Sequence, residues 1–301
     1  MGVRPPFVGP PLYIRAGAAY LPAAEGGLPM DRIRRTWQLM GYSWNVLAQD
    51  KTLLVLPLLS AIASAAVLAV FLVPLIAGEI VRAGVPRVGG MFGYGILFVY
   101  LFANYFVATF FNTALVSCAV RRLRGEPSGA SVGLRDAASR LPAIAGWAIV
   151  SATVGLVLRM IEDKSKLLGR IVAGLLGIAF SVASFLVVPL LVAENLGPLA
   201  ALRRSAELLR RSWAEQLVGA VSFGLLFALL GIPAFAGIAL GVVFAAVVSW
   251  STTGIVVLLA AVGLAVVYLL VLGLVQATLK TIFQAAVYLN LKDGTPIPGV
   301  A

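Results

Sequence analysis

The groups able to do chemistry in this chain are few, and their spacing is helical. Gln276, Lys280 and Gln284 follow one another at intervals of four, and Asn104 and Asn112 stand eight apart. In a helix such intervals place side chains on one face. With Glu194, which follows Pro189 by little more than a turn and precedes Asn195, they define a candidate polar crevice between helices for a polar headgroup or solute. The simpler reading gives the amides to helix-to-helix hydrogen bonds and lets Lys280 carry its ammonium to the nearest surface. Glu194 either binds a cation or, as the more common arrangement, sits at a helix end and pairs with Arg203 or Arg204.

Catalysis finds little to work with. There is no histidine, so the commonest general base and zinc ligand is missing. Serines such as Ser117 and Ser205 therefore have no imidazole to activate them. The one cysteine, Cys118, cannot form an internal disulfide. Gly89, Gly90, Gly93 and Gly95 lack the lysine and the strand-to-helix setting of a phosphate loop. No enzyme activity, metal or cofactor is expected.

The elements that position these residues are apolar runs. The chain is 61% hydrophobic and 12% charged, where soluble domains carry roughly 25% charged residues. Six spans account for the pattern, at about 53–77, 90–120, 142–158, 168–193, 217–242 and 254–290. The expected fold is all-α, a polytopic helical membrane protein with its spans in hairpins. Gly231, Ile232 and Pro233 are candidates to break the fifth span and leave 234–250 re-entrant or on the surface. Seventeen Lys and Arg fall in the termini and the second-to-third and fourth-to-fifth connections, against six on the opposite side. This places both termini in the cytosol. The net charge of +11 is thus matched to anionic lipid headgroups rather than to nucleic acid. Residues 1–29, rich in Pro, Gly and Ala, read as a disordered tail or as sequence ahead of a true start at Met30.

Residues 30–301 read as one membrane domain of repeated units, about 31–125, 126–197 and 198–296, each a surface helix followed by two spans. Arg34, Arg35, Ser43 and Trp44 match Arg203, Arg204, Ser212 and Trp213 at a constant offset of 169. Leu199, Leu202, Ala206, Leu209 and Trp213 recur at helical spacing as the apolar face of an amphipathic cytosolic helix. Arg34, Arg35, Arg203, Arg204, Arg210 and Arg211 are then the contacts to anionic lipid. Trp37, Trp44 and Trp213 are the interfacial anchors. A third candidate surface helix, from Gly133 to Trp147, has the composition without the register.

The stretch LVVPLLVAENLGPLAALRRSAELLRRSWAEQLVG, from Leu186 to Gly219, resembles the signature of an uncharacterised prokaryotic family of six-span membrane proteins. Pro189, Glu194, Gly197, Pro198, Arg204, Ser205 and Trp213 fall on its pattern, and RIRRTWQLMGYSWNVLAQDKTLLVLPLLS, from Arg32 to Ser60, resembles its opening motif. A more distant similarity is to the membrane domain that accompanies some glycerophosphodiester phosphodiesterases, without their catalytic domain. The resemblance implies a fold and a location but no activity. Two functions fit: a structural, regulatory or lipid-associated membrane protein, and a transporter or lipid-handling permease working through a crevice between repeats.

Overall fold

The computed structural model describes residues 44, 47, 51–81, 91–164, 167–248 and 252–293. A short 3-10 turn, Lys51–Leu54, leads into α1 (Val55–Val81). There follow α2 (Met91–Leu123), α3 (Ala130–Ala138), α4 (Leu141–Lys164), α5 (Leu168–Ala183), α6 (Val187–Ala193), α7 (Pro198–Val247) and α8 (Thr252–Asp293). No strand occurs among the described residues. Six stretches are long and apolar enough to cross a bilayer: Thr52–Val73, Gly93–Leu123, Leu141–Lys164, Leu168–Ala193, Gly224–Val247 and Thr252–Leu289. The protein is therefore an all-α polytopic helical protein, as its composition requires.

Two boundaries differ from the expected ones. The fifth span does not break at Pro233. Instead α7 runs unbroken for 50 residues, about 75 Å at 1.5 Å per residue, and residues 234–247 belong to it. A proline inside a span removes one backbone donor and pushes the preceding turn outward, which the membrane tolerates when a neighbour takes the loosened carbonyl. Here the Tyr268 hydroxyl of α8 donates at 2.7 Å to the Leu230 carbonyl, in the turn before Pro233 and next to the Leu229 carbonyl that loses its donor. The segment 198–213 is likewise no separate surface helix, since it is the first part of α7. Among the described residues a detached short helix precedes a span at α3, which leads through Ser139 and Arg140 into α4.

Helix α2 is the hub, packing against α1, α3, α4, α6 and α8. Every residue from 113 to 120 on α2 and from 281 to 289 on α8 is buried. The core adds Leu53, Leu56, Ile144, Leu186, Leu190, Leu191, Ala201 and Leu209. With helices alternating in direction, these positions all lie at one end of the bundle, the end that carries Arg121, Arg140 and Arg203. Away from it the helices are apolar all round, with Leu225, Leu240 and Leu264 exposed, the surface a bilayer would cover.

Helix α3 is seated on α2 by its smallest residue. A Cβ on Gly133 would collide with the Ala114 carbonyl oxygen and the Cys118 sulfur. The Cys118 thiol donates to the Gly129 carbonyl at 3.2 Å. Arg121 then closes the pair through two bonds to Asp136, Nε to Oδ2 at 3.0 Å and Nη2 to Oδ1 at 3.4 Å, a forked geometry that only arginine supplies. At the opposite end, the charges around 159–164 form the last turn of α4. Arg159 there lies 3.2 Å from Glu162 and 3.5 Å from Asp163. Its charge is thus locally paired.

Candidate functional site

The fourth span is broken, and the break organises the site. In a continuous helix the N–H of residue 189 would bond to the carbonyl of Phe185. Pro189 has no N–H, and its ring would strike that carbonyl. The chain answers with a turn at 184–186, separating α5 from α6, so that Pro189 falls in the first turn of the new helix, where the missing donor costs nothing. Two backbone groups are left inside the protein without helical partners, and each requires a new one. The Phe185 carbonyl accepts from Gln284 Nε2 of α8 at 3.1 Å. The Leu186 N–H donates to Ser205 Oγ of α7 at 3.1 Å, fully buried.

The other end of α6 is tied as firmly. Arg140, at the start of α4, donates from Nη2 to the Val192 carbonyl at 2.7 Å and from Nη1 to the Asp136 carbonyl at 3.2 Å. It thus caps the open carbonyls of α6 with a cation at the negative end of the helix. Glu194 follows as the C-cap, and Asn195 turns the chain with a φ of 50°. Glu194 Oε1 accepts from the Tyr288 hydroxyl at 2.9 Å and lies 3.9 Å from Lys292 Nζ. The same ammonium sits 5.7 Å from the centre of the Tyr288 ring. Two turns deeper in α8, Thr281 Oγ1 lies 3.0 Å from Asn112 Oδ1 and 2.9 Å from its own i−4 carbonyl at Ala277. A hydroxyl has one proton, so the group is fully satisfied when the amide turns to donate to Oγ1 and Oγ1 donates to Ala277.

The expected partner of Glu194 is thus corrected. It engages Tyr288 and Lys292, not Arg203 or Arg204, and Arg204 pairs with Glu207 at 3.5 Å. The cause is the rotation of α7. Gly197 is extended, Pro198 opens the helix, and the inward face is Ala201, Ser205 and Leu209. Small residues at 201 and 205 let α7 approach the break closely enough for Ser205 to reach Leu186. Leu199, expected on the apolar face, is 62% exposed, and Ala206 is exposed with it. Arg203, Arg204 and Arg210 point outward.

Of the six crevice residues, Gln284 and Glu194 sit at opposite ends of α6, while Asn112 joins α2 to α8. Asn104 and Gln276 are half-buried, and Lys280 is exposed. A step of four residues overshoots a full helical turn by about 40°. From 281 to 289, however, α8 is covered on every face, so Gln284 is buried by its position along the helix while Lys280, just before that stretch, stays outside. Trp44 is exposed, beside a buried Leu47. Arg34, Arg35 and Trp37, residues 1–29, and the side chains of Arg211 and Trp213 lie outside the described residues. The sequence reading gave no role to Thr281, Arg140 or the hydroxyls of Ser205 and Tyr288. Pro189 was the available signal, because a proline in a span announces a carbonyl four residues earlier that some polar side chain must satisfy.

Chemically the arrangement is a lock: the contacts of Gln284, Ser205, Arg140, Tyr288 and Asn112 each join one helix to another or close a helix end. It defines a polytopic helical membrane protein whose discontinuous fourth span is held by the last two helices. The chain belongs to a family of unknown function (DUF6159), whose model matches residues 91–297. No curated protein and no solved structure matches it.

Proposed function

We propose that this protein is a lipid-associated structural element of the prokaryotic cell membrane, with its basic end and both termini on the cytosolic side. One observation carries the reading. Arg203, Arg204 and Arg210 stand exposed on the outer face of α7, while the acid nearest in sequence to the break, Glu194, is engaged by α8. Arg204 shares its charge with Glu207, the charge of Arg203 and Arg210 is offered to a partner of opposite sign, and each arginine near an anionic bilayer contributes on the order of 1 kcal/mol of attraction. The distant likeness to a membrane domain that accompanies phosphodiesterases suits this role, in which the chain itself carries out no reaction.

The test counts lipids. The full chain in mixed micelles of phosphatidylglycerol and phosphatidylcholine is analysed by native mass spectrometry. It is expected to retain more phosphatidylglycerol, and changing Arg203, Arg204, Arg210 and Arg211 together to Gln should remove that preference while leaving phosphatidylcholine unchanged. Equal retention of both lipids by the unaltered chain overturns the reading. Orientation has its own test in a Cys118→Ala background. A cysteine placed at Leu167, which is exposed between α4 and α5, should be labelled from outside intact cells, and one at Gly129 should not. Labelling at Gly129 reverses the topology.

The broken fourth span favours the alternative, a carrier, because discontinuous helices expose backbone groups to substrates in many transporters. Against it, Gln284 and Ser205 already occupy the Phe185 carbonyl and the Leu186 N–H that such a solute would use.

A further inference from the structure

Lys280 lies inside an apolar stretch, Thr252–Leu289, long enough to cross the membrane, and from residue 252 to 291 it is the one charged side chain. Its depth follows from its neighbour. Thr281 touches Asn112, which precedes Arg121 by nine residues of the same helix, about 14 Å. Lys280 also precedes Lys292 by twelve residues, about 18 Å. The ammonium therefore starts well inside the level of the arginines, and it is exposed rather than turned into the bundle. An ionisable group at such a position marks a functional site unless it is paired.

The surface leading to it is open. Gly273 and Ala277 are exposed, a Cβ at Gly273 would meet nothing within 4 Å, and residues 273, 277 and 280 share one helical face. A strip of small exposed residues thus runs along α8 from the apolar surface up to the ammonium. One helical turn from Lys280, the half-buried Gln276 carries an amide.

We propose that Lys280 and this open strip form a seat for a single anionic phospholipid, the phosphate on the ammonium and an acyl chain against Gly273 and Ala277. The charge calls for an anion, and the apolar strip on the membrane side of it calls for a chain attached to that anion. Gln276 supplies a second hydrogen bond to the headgroup. The seat rests on the lipid-associated reading above and deepens it, and it is separate from the arginines of α7.

The test uses the full chain with phosphatidylglycerol as the probe, reading the most tightly held lipid by native mass spectrometry. Lys280→Gln should lower its retention about fivefold, the effect of one cation at a lipid surface, and Lys280→Arg should preserve it. The four-arginine variant should lose the other anionic lipids and keep this one, and millimolar inorganic phosphate should not displace it. Retention unchanged in Lys280→Gln overturns the seat. Displacement by inorganic phosphate does so as well, since the site would then take a free anion. A non-additive loss of thermal stability in Lys280→Gln and Glu215→Gln also overturns it, because Lys280 would then pair with α7. If the arginine variant loses lipid and Lys280→Gln does not, the seat alone fails. If the unaltered chain shows no preference for phosphatidylglycerol, the wider reading fails with it.

Discussion

Gly133→Ala is expected to be among the most damaging single-methyl additions to this protein, lowering its stability in detergent by about 2–3 kcal/mol. The added carbon would meet the Ala114 carbonyl oxygen and the Cys118 sulfur. The first is backbone in the middle of the hub helix, so it cannot rotate away, and α3 would have to lift off α2. Lifting it also stretches the Cys118 bond to Gly129 and the Arg121 fork on Asp136. The control is Gly174→Ala on α5, where the new carbon meets nothing within 4 Å and the gain in helix propensity should be neutral or favourable by up to about 1 kcal/mol. Thermal unfolding of the two variants in the same detergent decides the matter. Maleimide labelling gives a second readout, since Cys118 is buried and should become reactive in Gly133→Ala. Equal stability and an unreactive Cys118 in both variants would mean that α3 is not seated in this way.

The second large effect is expected at Gln284. Gln284→Leu keeps the volume but leaves the Phe185 carbonyl buried without a donor, a loss of about 2 kcal/mol. Gln284→Ala adds a cavity and should cost about 3 kcal/mol or more. The informative variant is the double one. With Pro189→Ala the N–H of residue 189 returns and can give Phe185 its helical bond, so that the carbonyl no longer depends on α8. Gln284→Leu should then cost less than in the parent, with a coupling of about 1 kcal/mol between the two sites. Strict additivity in chemical unfolding would falsify the claim that Gln284 answers the proline.

The same two positions separate what was legible in the sequence from what was not. Pro189, Gly197, Pro198 and Ser205 stood out as a pattern, yet nothing local says that Ser205 faces Leu186 rather than lipid. That depends on the rotation of α7, set by close approach at Ala201. Pro233 was read as a break because the usual cost of a proline in a helix is high. The helix continues, and Tyr268, 38 residues away in the chain, braces the turn before the proline through the Leu230 carbonyl. Gln284 and Lys280 were grouped by their spacing, and they separate because the boundary between core and lipid passes between them on α8.

By itself the sequence determined that this is a polytopic helical membrane protein with six spans and a basic end. Hydropathy and charge act residue by residue against the bilayer, so no knowledge of neighbours is needed. Only the tertiary structure decided that Glu194 belongs to Tyr288 and Lys292, that Arg140 caps α6, and that α7 is one helix from Pro198 to Val247. Partners drawn from distant helices depend on rotation, tilt and close contact between small residues, and hydrogen bonds between helices are directional where the hydrophobic effect is not.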